Sequence, residues 1–307
     1  MSEKAAALAS ARRGAFLCEK QLWCETAVSR ACGKACGSRE KALTHMFARL
    51  STRSSVLRAI PLRNAAVCTA RAFATAARKA LTLEQALTSS HLIIGQLESA
   101  TATQQLNAVR AGGDILTKWG QANAVLVQAT LQALPQMGFS ADGQGLHKYT
   151  DAFADCVRNG SPEERRMLQQ VNEAKWRVLL ENAFGCSPAP AITLAKAREI
   201  AIDMVDALQD PALLRQVEES RTGLAARLSE NERQHMVARA MVGVQSEVVA
   251  RHGYKGDAGY AQAQVCLMEH AGDAVVTASI AAATTNLYAR AGFNLHEALR
   301  QMGGGGG

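Results

Sequence analysis

From Leu81 onward the apolar residues fall at helical spacing between polar breaks. Leu83, Leu87, Ile94 and Leu97 form one stripe behind Thr82 and Gln85, which stand at capping-box distance, so a helix is expected to open there. A short helix follows before Gly112-Gly113. The longest and most apolar stretch runs from about Asp114 through Ile115, Leu116, Trp119, Val125, Leu126, Leu131 and Leu134 to Gly138, where a left-handed terminator suits glycine best. Asp142 is placed to cap a fourth helix with Leu146, Tyr149 and Phe153 inward. Ser161-Pro162-Glu163-Glu164 opens a fifth, with Met167, Leu168, Val171, Val178 and Leu179 as its buried stripe.

The pattern then begins again. Leu81-Thr82-Leu83-Glu84-Gln85 is echoed by Ile192-Thr193-Leu194-Ala195-Lys196 at an offset of 111, which also sets Leu97 on Leu208, Arg110 on Arg221 and Gly112 on Gly223. Asp210-Pro211 announces the second short helix. Ser229, with Glu232 at capping-box distance, opens a counterpart of the long helix through Val237, Met241, Val244 and Val248 to Gly253. Val275, Val276, Ile280 and Leu287 give the last helix its stripe. Near the turns the offset becomes 115, as one loop insertion would produce. The expectation is an all-α fold of two tandem units of about five helices, residues 81–182 and 192–293. The linker Gly185-Cys186-Ser187-Pro188-Ala189-Pro190 is too short to separate them, so they are expected to pack as a pseudo-dimer. Abundant alanine and leucine with only 6 prolines agree with an all-helical chain.

The stretch Gly138-Phe139-Ser140-Ala141-Asp142-Gly143-Gln144-Gly145-Leu146, after a long apolar helix and ahead of Lys148, resembles the signature of the protein C-ten family, small all-helical eukaryotic proteins of uncertain function. The resemblance covers about residues 81–182. The second unit carries the weaker copy Gly253-Tyr254-Lys255-Gly256-Asp257, with Ala258 and Gly259 in place of Gly143-Gln144 and Tyr260 at the Gly145 position. What the resemblance implies is a compact helical fold that acts through contacts, with Gly138, Phe139, Ser140, Asp142, Gly143, Gly145, Leu146, Gly253, Tyr254 and Asp257 as turn and cap residues and no catalytic residues to carry over.

Charge changes the picture of the first eighty residues. The formal net charge of +7 divides into +4 over residues 1–45, +7 over residues 46–79, which hold no acid, and −4 over the remainder. The region expected to fold is therefore mildly acidic, which argues against a nucleic-acid role. Residues 46–79 combine Arg49, Arg53 and Arg58 with Phe47, Leu50, Val56 and Leu57, the signature of a mitochondrial transit peptide, and Arg71-Ala72-Phe73 resembles a processing site. A mitochondrial location, in the matrix or on the matrix side of the inner membrane, is expected, with a cytoplasmic protein as the alternative. Residues 1–45 read as a disordered extension or gene-model artefact ahead of a start at Met46, and residues 294–307 as a tail ending in a disordered glycine run. No apolar run reaches the length of a membrane span.

Candidate chemistry adds little. Of the 8 cysteines, five precede residue 80, Cys32 and Cys36 among them without a second ligand pair. Cys156, Cys186 and Cys266 are too scattered for a disulfide framework. The histidines form no metal-binding pattern, although His252, Asp257, His270 and Asp273 fall near the second turn. Asp203 and Asp206, like Glu218 and Glu219, read as solvated helix faces. Neither metal nor cofactor is expected. The expected function is a non-catalytic interaction or scaffold protein with protein partners, such as a large mitochondrial complex. The alternative is an enzyme or small-ligand carrier with a pocket between the units near Tyr254, His252 and Trp119.

Overall fold

The helix starts are written into the chain by side chains that satisfy otherwise orphaned backbone amides. The computed structural model describes residues 80–222 and 227–293. Expectations for residues 1–45, for the leader at 46–79, for Gly223 and for the tail at 294–307 lie outside the described residues. Among the described residues there are ten α-helices, one 3-10 helix and no strand. They are α1 (Leu83–Leu97), α2 (Ala100–Ala111), α3 (Ile115–Ala133), the 3-10 turn Leu134–Met137, α4 (Gly143–Asn159), α5 (Pro162–Phe184), α6 (Leu194–Leu208), α7 (Pro211–Glu219), α8 (Glu230–Arg251), α9 (Gly256–Glu269) and α10 (Ala274–Arg290). The all-α expectation is met.

Thr82, Ser161 and Ser229 form complete capping boxes with Gln85, Glu164 and Glu232. Asp114, Asp142, Asp210 and Asp273 cap α3, α4, α7 and α10 through their carboxylates. Each such cap contributes about 1 kcal/mol. Nine of the ten α-helices open on a capping side chain; α9 does not.

Two stripes differ from expectation. In α1 the deepest positions are Ala86, Ser89, Ser90, Ile93 and Leu97, whereas Leu83, Leu87 and Ile94 are half-buried. Ser89 and Ser90 remove their own hydroxyls from solvent by bonding the Ala86 carbonyl, and Ser89 also meets the Tyr149 hydroxyl of α4. In α5, Met167 is 41% exposed, and the buried set is Leu168, Trp176, Leu179, Leu180 and Ala183. Trp176 lies at the junction with Val265 and Cys266 of α9, while Val171 and Val178 stay half-buried.

Within the first half α1 lies against α3 and α5, and α2 bridges the same pair. In the second half α6 lies against α8 and α10. One apolar cluster runs unbroken from Leu81 and Leu97 through Trp119 and Trp176 to Ile200, Val249, Tyr260 and Val276. A smaller one gathers Leu208, Leu213, Val217, Val237, Leu287, Tyr288 and Phe293 at the far end. The halves meet along a seam made by α9, which packs on α8 of its own half and on α5 and α3 of the first. Tyr260 of α9 stands edge-on to Trp119, with centroids 6.4 Å apart and planes at 87°, and its hydroxyl donates to Gln245 Oε1 at 3.0 Å. Lys118 to Asp257 at 2.8 Å and Arg239 to Asp114 at 3.0 Å tie the rims of the seam.

The seam is not two-fold symmetric. α4 occupies the chain-order position in the first half that α9 holds in the second, yet α4 packs on α1, α3 and α5 and makes no comparable contact with α8 or α10.

Tyr260→Phe should cost about 1–3 kcal/mol, because it leaves a buried Gln245 carbonyl oxygen without its donor. Trp119→Ala should cost about 3–5 kcal/mol through the cavity it opens. Urea denaturation monitored by circular dichroism measures both.

Candidate functional site

The motif at 138–146 is a self-contained turn. Pro135 opens the 3-10 extension of α3, and Gly138 ends it at φ 74°, a left-handed conformation that side-chain-bearing residues resist. The Phe139 amide then donates to the Leu134 carbonyl at 3.1 Å, and its ring packs edge-on to Tyr149 at 5.8 Å. Tyr149 in turn shares a hydrogen bond of 3.0 Å with the buried Ser89 hydroxyl. Thus the turn sets the position of α4 against α1.

Asp142 caps α4. Its Oδ1 accepts from the Gly145 amide at 2.7 Å and from the Ser140 hydroxyl at 2.8 Å, and these bonds hold the carboxyl below its ordinary pKa. A Cβ on Gly145 would run into the Ser140 carbonyl, whereas one on Gly143 would meet open space. Leu146 is half-buried against the core. The Ser140 and Asp142 side chains are therefore turned onto the motif itself.

The second turn departs from the first. Gly253 has φ 97°, and Tyr254 repeats the Phe139 bond by donating its amide to Val249 at 3.0 Å. The expected cap, Asp257, does not cap: Lys255 holds that position without a side-chain bond, and Asp257, inside the first turn of α9, binds Lys118. The close-packed glycine is Gly259, whose Cβ would strike the Tyr254 backbone, so Tyr260 is not at the Gly145 position. This turn is one residue shorter, and the shift carries Tyr260 into the seam. The signal was the glycine itself, six residues after Gly253 instead of seven.

His252, Asp257, His270 and Asp273 do not form a shared site. His252 Nε2 pairs with Asp203 at 2.9 Å, and His270 Nε2 bonds the Ile192 carbonyl at 2.8 Å. Asp273 caps α10 and grips the Arg198 guanidinium at 2.7 and 3.2 Å. No group of three His, Cys, Asp or Glu side chains among the described residues is placed to hold a metal ion. Cys156, Cys186 and Cys266 are free thiols, each held protonated above its ordinary pKa chiefly by burial.

Nor do Tyr254, His252 and Trp119 line the cleft at the junction. That cleft, of about 520 Å³, lies between α5, the linker and α9, and is walled by Trp176, Arg177, Glu173, Pro190, Cys266 and Glu269 among others. Trp119 is closed in the core against Phe184 and Tyr260, while the Tyr254 hydroxyl leans on Cys266 and is pushed up to about 12 by burial. Sequence reasoning missed the Glu269–Glu173 pair across the cleft. Burial, and then the neighbouring Glu173 carboxylate, raise the Glu269 pKa. The two residues lie 96 positions apart in the chain, and only the packing of α9 on α5 brings them together.

Comparison of the chain with family models, with curated proteins and with solved structures returns no match.

Two outcomes follow from this geometry. Gly145→Ala should cost about 1–3 kcal/mol through overlap with backbone, while Gly143→Ala should stay within about 0.5 kcal/mol of wild type; thermal melts of the pair separate a steric requirement from a loss of flexibility. For Glu269, a pKa higher in the folded than in the unfolded chain means the partly desolvated charge weakens the fold above that pKa, and the penalty fades as pH falls through it toward 4.5. Glu269→Gln should therefore melt higher than wild type at pH 7, and the gap should narrow as pH approaches 4.5.

Proposed function

We propose that the chain is a non-catalytic helical interaction protein, built from two copies of one five-helix unit of protein C-ten type and acting by contact within a larger mitochondrial assembly on the matrix side. The observation that carries this reading is the use made of the polar side chains at the turns. Asp142, Ser140, Asp257, His252, His270 and Asp273 are each engaged by the chain's own helices as caps or ties. Meanwhile Leu194, Ile202 and Met236 stand 39%, 41% and 44% exposed on the second half. Leu194 and Ile202 flank Arg198, whose charge Asp273 balances, leaving a stretch of α6 suited to apolar contact.

Duplication is supported by matched detail as well as by helix order. The Arg110 guanidinium lies over Gly185 just past the end of α5, and Arg221 lies over Gly292 just past the end of α10. Each arginine thus stands at the negative end of a helix dipole. On this reading the unlike contacts of α4 and α9 favour a head-to-tail pairing of the copies over the two-fold pseudo-dimer. No helix among the described residues is long and apolar enough to cross a membrane.

The second reading, a ligand carrier or enzyme, rests on the cleft beside Trp176 and Glu269. Affinity purification of the C-terminally tagged chain from its native cells, with mass spectrometry of the bait's N-terminus and its companions, tests the first. A bait beginning near Ala74 with stoichiometric mitochondrial proteins is the expected result. A cytosolic bait beginning at Met1 and running alone on a native gel overturns it and favours the cleft.

A further inference from the structure

We propose that the cleft between α5, the linker and α9 binds a linear aliphatic diamine, an apolar chain with an ammonium at each end. The inference rests on the carrier reading of that cleft and gives its ligand a chemistry. From α5 the cleft takes Glu173, Trp176, Arg177 and Glu181, whose spacing sets them on one face of the helix. Glu173 and Glu181 therefore stand about 12 Å apart along the helix axis.

The opposite wall shows which end is which. The linker runs beside α9: Gln262 Nε2 donates to the Ser187 carbonyl at 2.7 Å, and His270 Nε2 bonds the Ile192 carbonyl at 2.8 Å. The Ser187 hydroxyl donates to Glu181 Oε1 at 3.1 Å, so Glu181 marks the Gln262 end. Glu173 marks the other end, where its charge acts on Glu269 across the cleft. Between them lie Trp176, Val265 and Pro190. The cleft, about 520 Å³, is thus acidic at both ends with apolar side chains along its middle.

Its charges do not cancel. Three carboxylates, Glu173, Glu181 and Glu269, face one guanidinium, that of Arg177, an excess of two negative charges. Among the described residues none of the four forms an ion pair. Of the cations nearby, Lys175 lies over the Trp176 ring, its Nζ 5.2 Å from the centre, and Arg110 lies over Gly185 past the Glu181 end. The acids hold only neutral donors: Gln169 Nε2 bonds Glu173 Oε1 at 3.2 Å, and Ser187 bonds Glu181. Each carboxylate keeps acceptor sites after one such bond. Burial, and then Glu173, hold Glu269 above its ordinary pKa, as two carboxylates facing each other with no cation between them require. No three of these side chains converge as a metal ion would need. Two ammoniums held apart by methylenes match both the charge excess and the separation, and each brings three N–H donors.

The test is isothermal titration calorimetry of the full chain at neutral pH and low salt with octamethylenediamine. Three comparison compounds are n-octylamine, with one ammonium, putrescine, too short to reach both ends, and uncharged n-octanol. The diamine is expected to bind at least about fivefold tighter than any of them, as one further charged contact provides. Glu173→Gln, Glu181→Gln and Glu269→Gln should each weaken it by about that factor, and Arg177→Gln should tighten it at least about twofold. Glu219→Gln, on α7, should leave it unchanged. Because Glu269→Gln is expected to melt above wild type at pH 7, weaker binding there would not reflect unfolding. Binding of n-octylamine or n-octanol as tight as that of the diamine overturns the proposal and leaves the cleft a carrier of another ligand. No binding by any of the four compounds overturns both. Equal weakening by Glu219→Gln also overturns the proposal, since the attraction would then belong to no particular site.

Discussion

The fold hangs on one constraint: α9 must be apolar on nearly every side, because it is gripped by α8 on one face and by α5 and α3 on another. Gly259, Tyr260, Ala261, Ala263, Gln264, Val265, Cys266 and Leu267 are all buried. A helix so enclosed confines its charged exposure to its ends, at Asp257 and Glu269. Its buried polar groups must then find partners inside the protein, as the Tyr260 hydroxyl does in Gln245. α4 is under no such constraint. It keeps Tyr149 and Ala152 inside and turns Gln144, His147, Lys148 and Arg158 outward. The two helices hold corresponding places in the chain, and their difference in pattern records whether a neighbour covers them on both sides.

That difference bounds what could be read from sequence. Helix starts were legible because a cap is a local event: Thr82 with Gln85, Ser161 with Glu164 and Ser229 with Glu232 act over three residues and need no tertiary knowledge. The left-handed glycines 138 and 253 were legible for the same reason. Stripe assignments failed where packing selects small residues over large ones, as with Ala86, Ser89 and Ser90 in α1. Hydrophobicity ranks Leu87 above Ser89, but the Ser89 hydroxyl is satisfied inside the protein by the Ala86 carbonyl and by Tyr149. Asp257 was misread because a capping aspartate and an ion-paired one look alike in a string of letters; a turn shorter by one residue moved it inside the helix and toward Lys118.

At the candidate site, legibility was similarly local. The motif at 138–146 was visible, and its internal bonds show why its residues stand at those spacings: Asp142 reaches forward three residues to the Gly145 amide and back two to Ser140. The cleft beside Trp176 was not visible. Its walls come from α5, the linker and α9, and the pairing of Glu173 with Glu269 is produced by the seam alone.

The asymmetry of the seam has a consequence for assembly. A contact that joins unlike faces has a giving side and a receiving side, and two copies joined once in this way leave one of each unused. Repeated indefinitely, such a contact builds a filament. The unused giving side would be α4, in the place α9 holds in the second half, and its outer surface carries Lys148 and Arg158, whereas most of α9 is buried. On the duplicated reading, α4 is the end-piece of a two-unit stack, playing the part that polar terminal repeats play in solenoid proteins. On that reading the charge on one helix would limit growth of the array without weakening the junction that is made.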